Sequence, residues 1–475
     1  MHRKWTATFL LSGFAFIQPL AETMLAPLEH QISQDLHLTR NYQWTLVNSL
    51  ILVGVGFGPL VLAPVSERYG RKPALLGGSV VFIIWNTACG LATSLHQMLA
   101  FRLLAGFGAC VADAVAGGVL SDLWMPQQRG RAFALFMAAP LLGPGLGPII
   151  GAYIAVGLSW RWAFYVASIA LTVVTIAALL FYRETFEPRL VYMRSKHSST
   201  ESTAQLQKEA TGNSPEEAIC KPAFSQLLRT DLQRPVRMLA TQPIIQIIAL
   251  YMALLYGTMF LFLFMYPTLW VRRYGQSVRV SSLNYVSVAL GVVVGVQSKS
   301  HLFCGVAHLT PSVAGHLNDR VYAALKARSR NNMGRPEFRV PMMAVGTFLV
   351  SIGLLWWGWA GERHLHWIMP NTGCMIFTAG VYICSSCVSV YVIDAYTRYA
   401  ASAVSTNLVL RSCFAAFFPI FAPYMFEKVG FGWSATILAG CFLFVGTLTL
   451  LVLWFWGEDI RKRSRYCAAN DVEYL

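Results

Sequence analysis

The sequence predicts an all-α polytopic membrane protein whose twelve transmembrane helices form two pseudo-symmetric six-helix bundles. Three observations predict it. Of the 475 residues 56% are apolar and only 12% charged, the apolar residues fall into runs of spanning length, and charged motifs of the first half recur in the second. A mean hydropathy of +0.51 leaves too few polar groups to cover a water-soluble body of this size. The net charge of +15 would point to nucleic acid in a soluble chain. Here the basic residues sort by loop instead, and no nucleic-acid partner is expected.

A helix needs about 20 residues to cross about 30 Å of hydrocarbon. Runs that meet or approach this length lie at 5–27, 44–64, 74–93, 98–120, 133–156, 163–182, 244–267, 281–297, 342–360, 367–393, 401–426 and 433–456. With both termini in the cytosol, 28 of the 37 Lys and Arg fall on the inner side and 7 on the outer, leaving Arg102 and Arg411 inside spans. That asymmetry fits the positive-inside rule with an even number of crossings. Residues 1–182 then form the first bundle, 183–241 a cytosolic linker, 242–457 the second bundle and 458–475 a basic cytosolic tail. The linker is rich in Ser, Glu, Gln and Lys with little apolar periodicity, as expected of a disordered or weakly helical connection. The first run is long enough to span and no small-residue cleavage pattern follows it, so no cleavable signal peptide is expected.

The chain is organised around GPLVLAPVSERYGRKP, residues 58–73. Pro59 and Pro64 stand where span 2 finishes, and Glu67, Arg68, Arg71 and Lys72 follow on a short loop around Gly70. Four charges in six residues do not belong in hydrocarbon, so this is a cytosolic hinge. The stretch, from Gly58 onward, resembles the signature between helices 2 and 3 of the major facilitator superfamily. Its GPL, AP, SE and YGR pieces look like those of the fungal drug:proton antiporters with twelve helices. The resemblance covers nearly the whole chain. It implies two bundles rocking about a central cavity, with inward proton movement driving outward substrate movement.

In span 1, PLAETMLAP places Glu22 about three quarters of the way across. A carboxylate at the bilayer centre costs about 2.5–3.5 kcal/mol. Two readings stand: Glu22 snorkels to water at the outer interface, or it faces the cavity as a proton- or cation-binding group. Relatives usually carry a small polar residue there. They also carry a longer cytosolic tail before span 1, so the resemblance implies a shortened start. Span 4 reads FRLLAGFGACVADAVAGGVLSDLW, and the spacing of Arg102 to AGFGA is similar to the superfamily's helix 4 signature. A guanidinium stays protonated when desolvated, so Arg102 cannot release the proton. It either biases a nearby carboxylate or snorkels outward. Asp113 lies about 16 Å further along the same helix, so any partner of Arg102 comes from another helix. An intramembrane Asp is a site candidate by default, although relatives often have proline at the position of Asp113.

Asp122 ends span 4, and Arg129, Gly130 and Arg131 open span 5. The second half repeats this with Asp394 ending span 10 and Arg398 preceding span 11, while GHLNDRVY puts Asp319 and Arg320 in the places of Glu67 and Arg68. Repeats at half-chain spacing are what two related bundles produce. In the family, the acidic residue of each such loop faces a helix N-terminus in the opposite bundle, where exposed amides favour a carboxylate. The resemblance therefore implies a conformational latch. Glu67→Gln is expected to lower transport without abolishing folding, and normal transport by a well-expressed variant would count against the latch.

Span 5 carries PLLGPGLGPIIGA, with Gly143, Gly147 and Gly151 at successive i, i+4 positions and Pro144 and Pro148 between them. The glycines make a bare face on which another helix can approach closely, and the prolines bend the run. Gly291 and Gly295 of span 8 are expected to complement it. The run resembles the antiporter signature of exporters in the superfamily, with Ala152 in place of its last glycine. A packing interface without directional meaning is the alternative.

Span 7 contains Tyr251, Tyr256, Phe260, Phe262, Phe264 and Tyr266. Of these Tyr256 is the first candidate for the substrate cavity, joined by Asn407 and Arg411 of span 11. Structural charge pairing is the alternative for Arg411. After span 6 comes YRETFEPRLV, similar to a family motif in which a proline stands where this chain has Arg183. Residues 298–313, SKSHLFCGVAHLTPSV, interrupt the family pattern after span 8 and suit neither a span nor a typical loop. Ser-Lys-Ser and Leu-Thr can be encoded by splice-site sequences, so we read the segment as a translated intron, which transcript sequencing checks. Retained, it is expected to burden span 8 and can leave the carrier inactive.

Cys384 and Cys387 form a CxxC inside apolar span 10. Redox or zinc chemistry needs accessible thiolates and further ligands, so packing is expected. No GxxxxGK[ST] phosphate loop, nucleophile constellation or metal cluster occurs, which argues against an ATP-driven pump or an enzyme. No cofactor is expected. The partners are lipid, protons and an amphipathic small molecule: a drug, toxin, fungal secondary metabolite or polyamine. Uptake by the same fold is the alternative. A monomer in the plasma membrane is expected, the vacuolar membrane being the other candidate.

Overall fold

The structure, a computed structural model, describes residues 2–124, 126–185, 237–296, 321, 324–327, 335–396, 400–462 and 464. Every described element is helical. Eleven segments are long and apolar enough to cross a membrane, and Leu142–Gly157 is a shorter apolar helix. The first bundle contains α1 (His2–Thr23), the short α2 (Glu29–Asp35), α3 (Asn41–Tyr69), α4 (Arg71–Gly90), α5 (Leu95–Ala109), α6 (Val111–Leu123), α7 (Pro126–Gly157) and α8 (Arg161–Phe181). The second contains α9 (Pro243–Thr268), α10 (Val278–Leu283), α11 (Val286–Val296), α12 (Val340–Glu362), α13 (Ile368–Ala395), α14 (Ala400–Val429) and α15 (Phe431–Lys462). Residues 298–313, Asp319, Arg320 and Arg398, and the linker between 186 and 236, lie outside the described residues, as do the side chains of Glu67, Arg68 and Arg129.

Three expected spans hold as crossings, Tyr42–Ser66, Leu95–Leu120 and Val278–Gly295, but differ from expectation in local shape. The helix of span 2 continues past Pro64. Helix α3 runs through both prolines to Tyr69, and α4 starts at Arg71. The expected loop is thus Gly70 alone, at φ 100°, a backbone conformation that glycine adopts without steric penalty. Span 4 is two helices, broken at Cys110. Span 8 is also two, because Asn284 interrupts it. Its side chain donates 2.8 Å to Gln276 Oε1 and 3.3 Å to the Ser281 carbonyl, a local alternative to helical bonding that asparagine favours.

Carboxylates at helix N-termini fix the bundle ends. Glu184, from the motif after span 6, accepts the Arg71 amide at 2.8 Å and the Lys72 amide at 3.2 Å. Glu362 accepts the Phe431 amide at the start of α15 at 2.7 Å. Each neutralises amide donors that a first helical turn leaves unpaired. The half-chain repeat is visible in the side chains. Arg71 pairs with Asp122 at 3.4 Å, and Arg339 faces Asp394 at 3.9 Å. In both bundles an Arg at the start of the third crossing meets an Asp at the end of the fourth.

Each bundle has its own apolar core. The bundles meet where α3 packs along α14 and where α7 packs on α10 and α11. Cys384 and Cys387 are buried in the second core, in keeping with packing.

Candidate functional site

A small cavity lies between the bundles. One bundle contributes Glu22, Thr23, Asn48, Ser49 and Leu52 to its wall, and the other contributes Phe260, Leu263, Phe264, Tyr285 and Pro419. Glu22 therefore faces the inter-bundle space. It is 5% exposed, and Gln18 donates to it at 3.2 Å from the preceding turn of α1.

Arg102 is fully buried, so it does not reach the outer surface. Its partners come from another helix, as the spacing required, but they are backbone carbonyls rather than a carboxylate. Nε donates to Val47 O at 3.0 Å and Nη2 to Asn48 O at 3.1 Å. Those carbonyls belong to the turn of α3 that presents Asn48 and Ser49 to the cavity. The third nitrogen, Nη1, has no hydrogen-bond partner among the described residues. Arg102 thus ties span 4 to span 2 behind the cavity wall, within Coulombic reach of Glu22.

Asp113, half-buried on α6, and Arg411, half-buried on α14, lie within Coulombic reach of each other, and Glu22 is within reach of both. The Arg411 guanidinium stands 4.2 Å from the Tyr256 ring centroid. Two carboxylates from the first bundle and one guanidinium from the second therefore share the middle of the molecule. Asn407 is 7% exposed one turn before Arg411.

The latch candidates divide. Gly58 packs against Cys110 of the fourth crossing. Arg71 is buried, donates to Ser66 Oγ at 2.9 Å and pairs with Asp122. These bonds, like the one between Asp394 and Arg339, stay within one bundle.

The glycine face of α7 receives α1. A Cβ added at Gly143 would stand 2.8 Å from the Leu20 nitrogen, and one at Gly147 would stand 2.8 Å from the Leu20 carbonyl oxygen. Gly151 lies against the Met24 carbonyl, while Pro144 and Pro148 remain inside the continuous helix. The expected complement from span 8 is corrected. Gly291 and Gly295 face α13 instead, where a Cβ on Gly295 would stand 3.0 Å from Tyr382. Across the bundle interface α7 meets α11 through Gly145, whose added Cβ would stand 2.7 Å from the Ala289 methyl. Spacing shows that a helix approaches a bare face, but not which helix.

The aromatics of span 7 separate by face. Tyr251, Phe262 and Tyr266 are buried in the second bundle's core. Tyr256 carries Arg411, and Phe260 and Phe264 line the cavity. The spacing of four from Tyr256 could have found the last two, since such residues share a helix face. Asn48 and Ser49 were also missed, although an Asn-Ser pair inside an apolar run is itself a signal.

Residues 11–412 match the Major Facilitator Superfamily. The chain is 36% identical over 465 residues to the efflux pump vrtL of Penicillium aethiopicum, covering 98% of this chain and 88% of that one. It is 33% identical over 467 residues to the efflux pump radE of Floropilus chiversii, covering 98% and 82%. An uncharacterized transporter of Schizosaccharomyces pombe is 35% identical over 471 residues, covering 99% and 91%. Among solved structures, the xylose transporter XylE from E. coli superposes with a TM-score of 0.62 at 14% identity, covering 96% of this chain and 98% of that one. The human organic anion transporter MFSD10 gives 0.60 at 16%, covering 94% and 99%. Helices, cavity and sequence agree: this multi-pass membrane protein belongs to the major facilitator superfamily of transporters.

Proposed function

We propose that the chain exports amphipathic small molecules in exchange for protons, by alternating access of the central cavity, in a plasma membrane with both termini in the cytosol. The observation that carries this reading is the placement of Glu22, a carboxylate on a wall shared by both bundles. A group there meets each side in turn as the bundles rock, so it can take a proton on one side and release it on the other. Arg102, fixed behind it, and Asp113, opposite Arg411, set the charge around that proton. The efflux pumps among the relatives support the outward direction. Arg71 with Asp122, and Arg339 with Asp394, serve the latch by holding each bundle's charged end rigid while the two ends part. Small-molecule substrate, protons and lipid suffice as partners for a working monomer.

Proteoliposomes with an imposed pH gradient test the exchange. A panel of amphipathic compounds is expected to accumulate only on the acidic side, with a measurable proton flux in the opposite direction. Accumulation that persists after the gradient is collapsed, or that follows the proton, overturns exchange.

A further inference from the structure

Gln18 and Glu22 stand one helical turn apart on α1 and share a face. Both are buried, at 8% and 5% exposure. The Gln18 amide nitrogen donates to Glu22 Oε1 at 3.2 Å, and among the described residues this is the one hydrogen bond that either side chain makes. The two residues border different spaces. Glu22 lines the cavity between the bundles, whereas Gln18 lines a second small cavity inside the first bundle, beside Ser79, Phe82, Gly108 and Ala109. A primary amide taken out of water costs free energy unless a hydrogen bond replaces its hydration, and here the Glu22 carboxylate supplies that bond. Arg102 of α5, Asp113 of α6 and Arg411 of α14 lie within Coulombic reach of Glu22. No ion pair among the described residues includes it, so Gln18 is its direct polar contact.

We propose that Gln18 is a positioning residue for the proton step: its amide holds the Glu22 carboxyl at the wall of the inter-bundle cavity and favours the charged form there. A hydrogen bond to an ionised group is about twice as strong as one between neutral groups, so this bond eases the proton off Glu22. The Gln18 amide oxygen accepts no hydrogen bond from a described residue. Once Glu22 is protonated, the amide can therefore turn end for end and accept from the carboxyl O–H. The carboxyl keeps its place in both states, while the charged state keeps the stronger bond. Gln18 does this from inside the first bundle, so it moves with Glu22 as the bundles rock. This inference rests on the proton-exchange reading above and adds to it the residue that sets how readily the proton leaves.

The test uses the full chain in nanodiscs, where infrared difference spectra over a pH series follow the carboxyl band that Glu22→Gln removes. Gln18→Met keeps the length and unbranched shape of the side chain but can neither donate nor accept as the amide does. It is expected to move the midpoint of that band up by about one pH unit, an about tenfold tighter hold on the proton. In proteoliposomes, the pH required on the proton-releasing side for half-maximal export is expected to rise with it. Gln18→Asn keeps the amide but draws it back by one carbon. It is expected to shift the midpoint in the same direction, and it carries the test if the methionine variant does not assemble. A merely structural role would lower the thermal midpoint and reduce export at every pH, with the band's midpoint in place. An unchanged midpoint in both variants overturns the proposal, even where export stays coupled to protons. A shifted midpoint without proton flux upholds the role of Gln18 and overturns the exchange. If no titrating carboxyl band is lost in Glu22→Gln, both readings fall.

Discussion

Gly147→Leu is expected to reduce export at least about tenfold and to lower the thermal midpoint of the purified protein, because the helix carrying Glu22 lies directly on that glycine. A single added Cβ at Gly147 already falls 2.8 Å from the Leu20 carbonyl and against Thr23 Oγ1. Backbone cannot yield as a flexible side-chain end can, so three further carbon atoms force α1 away from α7. Overpacking in a soluble core costs typically 1–3 kcal/mol. Here the displaced element is the cavity wall itself. Gly143 and Gly151 meet the same backbone one turn either side, so the triple replacement is expected to prevent assembly of the first bundle. Gly440→Leu is the control. That glycine is exposed on α15 with nothing within 4 Å of an added Cβ, and its transport and midpoint are expected to stay at the parent level. Fluorescence-detected thermal melting and vesicle export measure both variants. If Gly147→Leu matches Gly440→Leu, the close approach of α1 to α7 has no part in transport.

The parts of this fold that were legible in the sequence are those set by hydrocarbon. Span existence and order follow from lengths of apolar chain, and the second-half echo of Asp122 by Asp394 followed from charge placement. Pairing across space was less legible. The glycine stripe announced a close approach, but only the fold assigns it to α1, and the proposed partner stripe at Gly291 and Gly295 turned out to serve α13. Proline was over-read as a stop. Pro59 and Pro64 sit inside α3 because neighbouring helices hold a membrane helix through the lost hydrogen bonds. Conversely, the break at Asn284 had no proline to mark it and arises from side-chain hydrogen bonds that require Gln276 and the start of α13 to be in place. At the site, the residue types Glu22, Arg102 and Arg411 were each conspicuous as charges in apolar runs. That Glu22 lines the inter-bundle space within Coulombic reach of Arg411, while Arg102 donates to the carbonyls of α3, depends on helix rotation, which the weak amphipathicity of these runs does not encode.

Glu22→Gln is expected to stop gradient-driven export while leaving substrate exchange at equal pH within about twofold of the parent, and the separation of those two activities carries the argument. Glutamine keeps the shape of the side chain and its acceptor oxygen for Gln18, which now donates at 3.2 Å, so the cavity wall is unchanged. What it cannot do is gain or lose a proton. Loaded carrier can still cross in both directions, which is all that exchange requires. The empty carrier, already neutral without a proton, rocks back without moving one, so the gradient no longer drives the cycle and net uphill export fails, by about two orders of magnitude if no second carboxylate substitutes. A general folding defect would lower both activities together. The variant is also expected to melt no lower than the parent, since it removes a carboxylate whose burial at membrane depth costs about 2.5–3.5 kcal/mol. Asp113→Asn is the necessary companion: Asp113 is within Coulombic reach of both Glu22 and Arg411. If Glu22→Gln exports normally down an imposed gradient and Asp113→Asn does not, proton carriage moves from α1 to α6. Arg411 then becomes the group that the proton releases from its charge partner.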